Sequence, residues 1–154
     1  MATPTNPHTD ALSSSLPGTW RLESRVDVTD SGERKIDPSL GERPIALIFY
    51  DRSGNFAAQF MKRDRSGPAV DAPAGAANNT RAQGGYDAYF GTYEVDDARG
   101  TVTQRLLGSL SRDNVGQVVT RAMVVAGDTL TIVLRTAAVD GGDVTRTLTW
   151  KRVG

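Results

Sequence analysis

Arg121 lies between Val119 and Met123 in QVVTRAMVV, and Arg146 stands two residues before Leu148 in VTRTLTWKRV. Side chains two apart share one face of a β-strand, so each guanidinium falls on an otherwise apolar face. A charge there is costly unless it is paired or solvated. Either the arginines sit near strand ends and reach water along their alkyl stems, or they point inward, toward internal carboxylates or an anionic ligand. Facing inward, their planar forks suit carboxylate, enolate or phenolate oxygens and could stabilise an oxyanion. Few acids share these faces, since Glu94 and Asp96 fall opposite Tyr93.

A second group lies in GGYDAYFGTY, where Tyr86, Tyr89, Phe90 and Tyr93 surround Asp87. Tyr93 and Asp87 are the candidates for proton transfer. Against that stands the ordinary reading, in which the aromatics pack a loop onto the fold and Asp87 is solvated. GGYDAYFG lacks the strand–turn–helix setting and the Lys-Ser/Thr of a phosphate loop. The only histidine is His8 and there is no cysteine. Multi-histidine metal sites, histidine triads and thiolate chemistry within one chain are thereby excluded. No metal and no cofactor are expected. With 18 basic and 18 acidic residues, no net field draws nucleic acid or an acidic membrane surface.

The elements that must place these side chains are strands. Residues 1–15 are rich in Pro, Thr, Ser and Asn and are expected to be a disordered tail, with one domain over 16–154. They lack the basic and apolar regions of a secretory signal, and no apolar run reaches the ~18 residues of a membrane span, so a cytoplasmic protein is expected. GTWRLESRVDV alternates from Trp20 onward. Trp20, Leu22, Ser24, Val26 and Val28 take one face, with Arg21, Glu23, Arg25 and Asp27 on a wet one. IALIFYDRSGNFAAQFMKR reads as a hairpin turning at 51–54, with Gly54 where a positive φ is needed. The stretch 64–85 is long and irregular, and its alanine-rich middle suits a short helix or loop lid. Five further strand segments with short turns follow, making eight in all. That pattern suggests an antiparallel up-and-down barrel or a sandwich, and eight strands close a barrel wide enough for one small ligand.

Gly18-Thr19-Trp20, YFGTYEVDDARGTVT and LTWKRV resemble the bacterial lipocalin-like domain family, a small calycin-type barrel, over residues 16–153. The resemblance implies that Trp20 plugs the closed end and that Arg152 packs across it. It also favours Gln59 and Met61 facing inward, over the alternative face of Phe56, Ala58 and Phe60. Members often carry a histidine pair where this chain has Gln104-Arg105, so imidazole chemistry is not carried over. Strand parity with this resemblance gives Gln59, Met61, Tyr86, Tyr89, Gln104, Met123 and Trp150 as candidate ligand contacts. Arg121, Arg146, Tyr93 and Asp87 are the candidates for catalysis. The expected function is binding of a small, largely apolar, oxygenated molecule, with cofactor-free cyclisation, isomerisation or dehydration in secondary metabolism as its catalytic form. The alternatives are a carrier without chemistry, or a filled structural barrel.

Overall fold

Gly18–Thr29 forms β1, and its first residue shows why the strand opens on glycine. Gly18 has φ +145°, and a Cβ there would lie 2.4 Å from Nη1 of Arg152 and 2.7 Å from the carbonyl oxygen of Gly154. The space is needed because the Arg152 guanidinium carbon sits 4.2 Å from the centroid of the Trp20 ring. Trp20 is fully buried and its indole N–H donates to the Leu16 carbonyl at 2.9 Å. Arg152 also donates to the Pro17 and Ser15 carbonyls. This is the plug that the resemblance implied. Gly18→Ala should destabilise the chain by about 1–3 kcal/mol, the usual scale for a residue forced into a disfavoured backbone region, and should weaken the near-ultraviolet dichroism of Trp20. A melting temperature unchanged by the substitution would remove the plug from the account.

The computed structural model describes residues 11–72, 81–138 and 141–154. The remaining elements are β2 (Arg34–Lys35), β3 (Ile45–Tyr50), β4 (Asn55–Met61), β5 (Tyr86–Asp96), β6 (Thr101–Ser109), β7 (Val118–Ala126), β8 (Thr129–Ala137) and β9 (Asp143–Arg152). A single turn of helix, α1, covers Leu12–Ser15, and a 3₁₀ turn covers Arg112–Asn114. The antiparallel order β1-β3-β4-β5-β6-β7-β8-β9 is closed by pairing of β9 with β1, and β2 is an extra strand on the end of β1. The fold is therefore the eight-stranded closed up-and-down barrel, with one short addition. The β3–β4 turn is as the sequence suggested: Gly54 has φ +93°, and Asp51 accepts from the Ser53 and Asn55 amides.

Helix α1 folds where a disordered tail was expected. Leu12 and Leu16 are buried in the core, and Ser13 is tied through its amide and hydroxyl to the Asp97 carboxylate. The boundary of any tail thus lies before Leu12; residues 1–10 fall outside the described residues. The alanine-rich segment proposed as a helical lid, 73–80, falls outside them as well.

The second departure is in β1. Its register with β9 runs Leu22↔Trp150 and then Ser24↔Thr149, so Glu23 is an extra residue. A bulge of this kind turns every following side chain to the other face. Arg25 and Asp27 are therefore buried, and Val26 and Val28 are only half-buried. On β4 the inward face is Phe56, Ala58 and Phe60, each 1–3 % exposed. Gln59 and Met61 face outward, against the expectation from the resemblance. The pleat permits one face only, and the three aromatic and methyl groups fill it.

Candidate functional site

The barrel axis holds a small cavity of about 30 Å³, room for about two water molecules. Its wall is Ile48, Phe60, Tyr89, Gln104, Arg121, Met123, Ile132, Leu134, Arg146, Leu148 and Trp150. Every barrel strand except β1 contributes, because each presents alternate residues to the axis. Of the sequence-derived candidates, Arg121, Arg146, Tyr89, Gln104, Met123 and Trp150 meet here. A barrel of this kind is suited to hold a small molecule, although this one is nearly filled by its own side chains.

The polar members are arranged unequally. Gln104 donates through Nε2 to the Tyr50 hydroxyl at 2.6 Å, and that hydroxyl lies 4.0 Å from Sδ of Met123. Burial pushes the Tyr50 phenol well above its ordinary range, so it stays protonated. Trp150 is 1 % exposed, and its indole nitrogen has no hydrogen-bond partner among the described residues. Burial lowers the Arg121 pKa, while its Nη1 donates to the Thr120 carbonyl at 3.3 Å.

Arg146 is held by internal acids. Its Nε and Nη2 donate to the two oxygens of Asp27 at 2.8 and 2.9 Å, and Asp27 lies directly opposite it in the β1–β9 ladder. Nη2 is also 3.8 Å from Asp37, which accepts from Arg25 at 3.0 Å. Burial would raise the Asp37 carboxyl, but the Arg25 guanidinium, two hydrogen bonds from Ser39 and Arg146 together hold it below its usual value. Arg25 is lowered by burial and by the Arg146 charge. The segment 36–44 thus straps the rim of the barrel, with Leu40 and Ser39 buried beneath it. Sequence reasoning missed Arg25, Asp27 and Asp37, since alternation through Glu23 assigns the first two to water and nothing local marks Asp37.

The remaining candidates are elsewhere. Tyr93 is at the α1 end of the barrel, where it donates to the Asp51 carbonyl at 2.6 Å and meets Tyr50 edge-on at 4.9 Å. It pins the β3–β4 turn. Asp87 is fully buried rather than solvated, with Oδ2 accepting from the Arg81 amide at 3.0 Å. It lies under the segment 81–85, not on the cavity wall. Gln59, Met61 and Tyr86 line an apolar groove of about 180 Å³ on the outside of β3 and β4, where the Tyr86 hydroxyl donates to Oε1 of Gln59 at 3.1 Å. Seven residues of strand span roughly 23 Å, so the aromatics of β5 cannot form one lid.

Among the described residues no group of three or more His, Cys, Asp or Glu is placed to hold a metal, and no helix is long and apolar enough to cross a membrane. A family model described as a lipocalin-like domain matches residues 17–153. No curated protein matches the chain.

Proposed function

The chain belongs to the lipocalin-like domain family, and from that premise we propose that it binds a small, largely apolar molecule carrying an oxyanion, such as a carboxylate, enolate or phenolate, inside the barrel. The observation that carries this is the charge of the cavity wall. Two guanidiniums, those of Arg121 and Arg146, stand on an otherwise largely apolar wall, and Arg146 is ion-paired with Asp27 and lies 3.8 Å from Asp37. An incoming oxyanion could accept from the buried Trp150 N–H and from the Arg121 guanidinium on the same wall. The apolar body would lie against Phe60, Ile132 and Leu148, which must yield space beyond the present cavity. The reading stops at binding, because neither of the proton-transfer candidates, Tyr93 and Asp87, stands on the cavity wall.

The test is titration of tryptophan emission with 2-naphthoate, an apolar carboxylate. Quenching should saturate, and Arg121→Leu should weaken the affinity about 10–100-fold, the equivalent of one charge-assisted hydrogen bond. The filled-barrel alternative has its own support in the cavity of about 30 Å³. It predicts no saturable quenching, and that result would end the binding proposal.

A further inference from the structure

An antiparallel sheet with one face on a core ordinarily turns polar side chains outward. The last strand and the start of the first keep that rule: the outward residues of β9 include Thr145, Thr147, Thr149 and Lys151, and those of β1 include Thr19 and Arg21. Strands β3, β4 and β5 break it. Their outward side chains stand in three rows across the ladders: Ile45–Met61–Tyr86, Leu47–Gln59–Ala88 and Phe49–Ala57–Phe90. None of these residues is charged, and the one amide, Gln59, is already bonded to the Tyr86 hydroxyl. Phe90 is 56 % exposed, Ile45 41 % and Phe49 38 %. A Cβ at Gly108 would come within 2.3 Å of the Phe90 ring, so the ring is seated on the one neighbour in β6 that has no side chain. A contiguous apolar face of this kind marks an interaction site.

The charges at its two ends say what covers it. Beyond the Ile45–Met61–Tyr86 row come Arg43, Lys62, Arg63 and Arg65. Arg63 and Arg65 donate to the carbonyls of Arg43 and Gly84, neutral acceptors that do not offset their charge. The acids at that end are engaged, Glu42 by Arg34 and Asp64 by Ser66. Beyond the Phe49–Ala57–Phe90 row come Asp51 and Glu94, with Arg52 next to Asp51 in the chain. The face is therefore basic at one end, acidic at the other and apolar between. A half-turn about an axis normal to the sheet at Gln59 exchanges those ends. It carries Phe90 of one copy to Ile45 of the other, beside the groove of about 180 Å³ that Ile45 and Met61 help to line, and Phe49 to Tyr86. It also brings Arg43 to the Glu94 corner and Arg65 to the Asp51 corner. We propose that this face joins two copies of the chain in a symmetric dimer, β4 lying over β4 about a two-fold axis at Gln59. Such a contact is self-complementary, as a two-fold interface must be. Three strands of five residues cover roughly 200 Å² in projection, well under the ~800 Å² per partner of a standard stable complex, so the dimer is weak and reversible. An acidic lipid surface would meet the acidic end as well as the basic one, which favours the second copy.

Sedimentation velocity of the full-length chain, from about 10 µM to about 1 mM, should show a concentration-dependent shift from monomer toward dimer with Kd on the order of 100 µM. Phe90→Lys should weaken association at least tenfold and leave the near-ultraviolet dichroism of the two buried tryptophans unaltered, since Phe90 lies outside the barrel. Arg43→Glu should weaken it severalfold, and Arg43→Glu with Glu94→Arg should restore it. Because the chain has no cysteine, the axis can be located directly. Gln59→Cys sets two thiols close to the axis, within reach of a short bismaleimide when the sheets face each other ~10 Å apart, and should cross-link efficiently. Ala122→Cys, exposed on the outside of β7, should not. A chain still monomeric at about 1 mM overturns the proposal. Cross-linking through Ala122→Cys in preference to Gln59→Cys does the same, by placing the contact on the opposite wall. Flotation of the monomer with phosphatidylglycerol vesicles, abolished by Phe90→Lys, would assign the face to a lipid surface and overturn the dimer.

Discussion

Asp27→Leu lowers the stability of the barrel by about 3–5 kcal/mol, the scale on which a buried charge loses its partner. In a domain of this size that corresponds to a fall in melting temperature of about 10 °C or more. The expectation follows from position. Asp27 and Arg146 are 6 % and 5 % exposed and joined by two hydrogen bonds, so removing the carboxylate leaves a guanidinium that water cannot easily reach. Asp37, 3.8 Å from Arg146, is already engaged with Arg25 and compensates only in part. The double variant Asp27→Leu/Arg146→Leu should recover most of the loss, because the remaining Arg25–Asp37 pair is neutral and two leucines suit an apolar wall. Salt should change neither result much, since screening acts weakly on buried pairs. Denaturant unfolding of the two single variants and the double closes a mutant cycle. A double variant as unstable as the sum of its singles would show that the pair is not coupled.

The same four residues mark the limit of what the chain's pattern discloses. Alternation placed the inward faces of β6, β7, β8 and β9 correctly, including both arginines on an apolar wall, because no bulge falls among the residues concerned; the irregularity in β6 comes at Leu107, beyond Val102, Gln104 and Leu106. In β1 the pattern Trp20, Leu22, Ser24, Val26, Val28 looked equally regular, yet the bulge at Glu23 inverts its second half. A bulge is decided by where the partner strand lies, and β9 is more than a hundred residues away in the chain. In β4 both faces were chemically acceptable, and only the closed wall decides that Phe56 and Phe60 turn inward while Gln59 and Met61 face out. Asp37 could not be found locally at all, since its partners Arg25 and Arg146 come from different strands.

Asp87→Asn stabilises the chain at neutral pH, by about 1–3 kcal/mol, and loses that advantage near pH 4, where the native carboxyl is already neutral and only the cost of the unpartnered amide hydrogens remains. Asp87 is fully buried, and burial pushes its carboxyl from 3.8 up to about 6. Amide donation from Arg81 and Ala88 and the charge of Arg25 limit the rise. Its Oδ1 has no hydrogen-bond partner among the described residues. The folded chain therefore holds a proton at pH values where the unfolded chain has released it. The stability this confers is complete below about pH 4 and disappears as pH rises through about 6, so stability falls with pH across that window. Above it the fold carries an ionised, desolvated carboxylate, and a shift of about two units corresponds to about 3 kcal/mol. Asparagine keeps the acceptor that meets the Arg81 amide and removes the charge, but its own amide hydrogens then need a partner, which is why the gain is smaller than the full shift. Urea midpoints at pH 4.5, 6 and 7.5 measure the effect as the difference between native chain and variant, which cancels the contributions of Asp37 and every other group. A variant less stable than the native chain at pH 7.5 would mean that the Asp87 charge is used, and that the cover formed by 81–85 is tied down by an ion pair rather than by the backbone contact with Arg81.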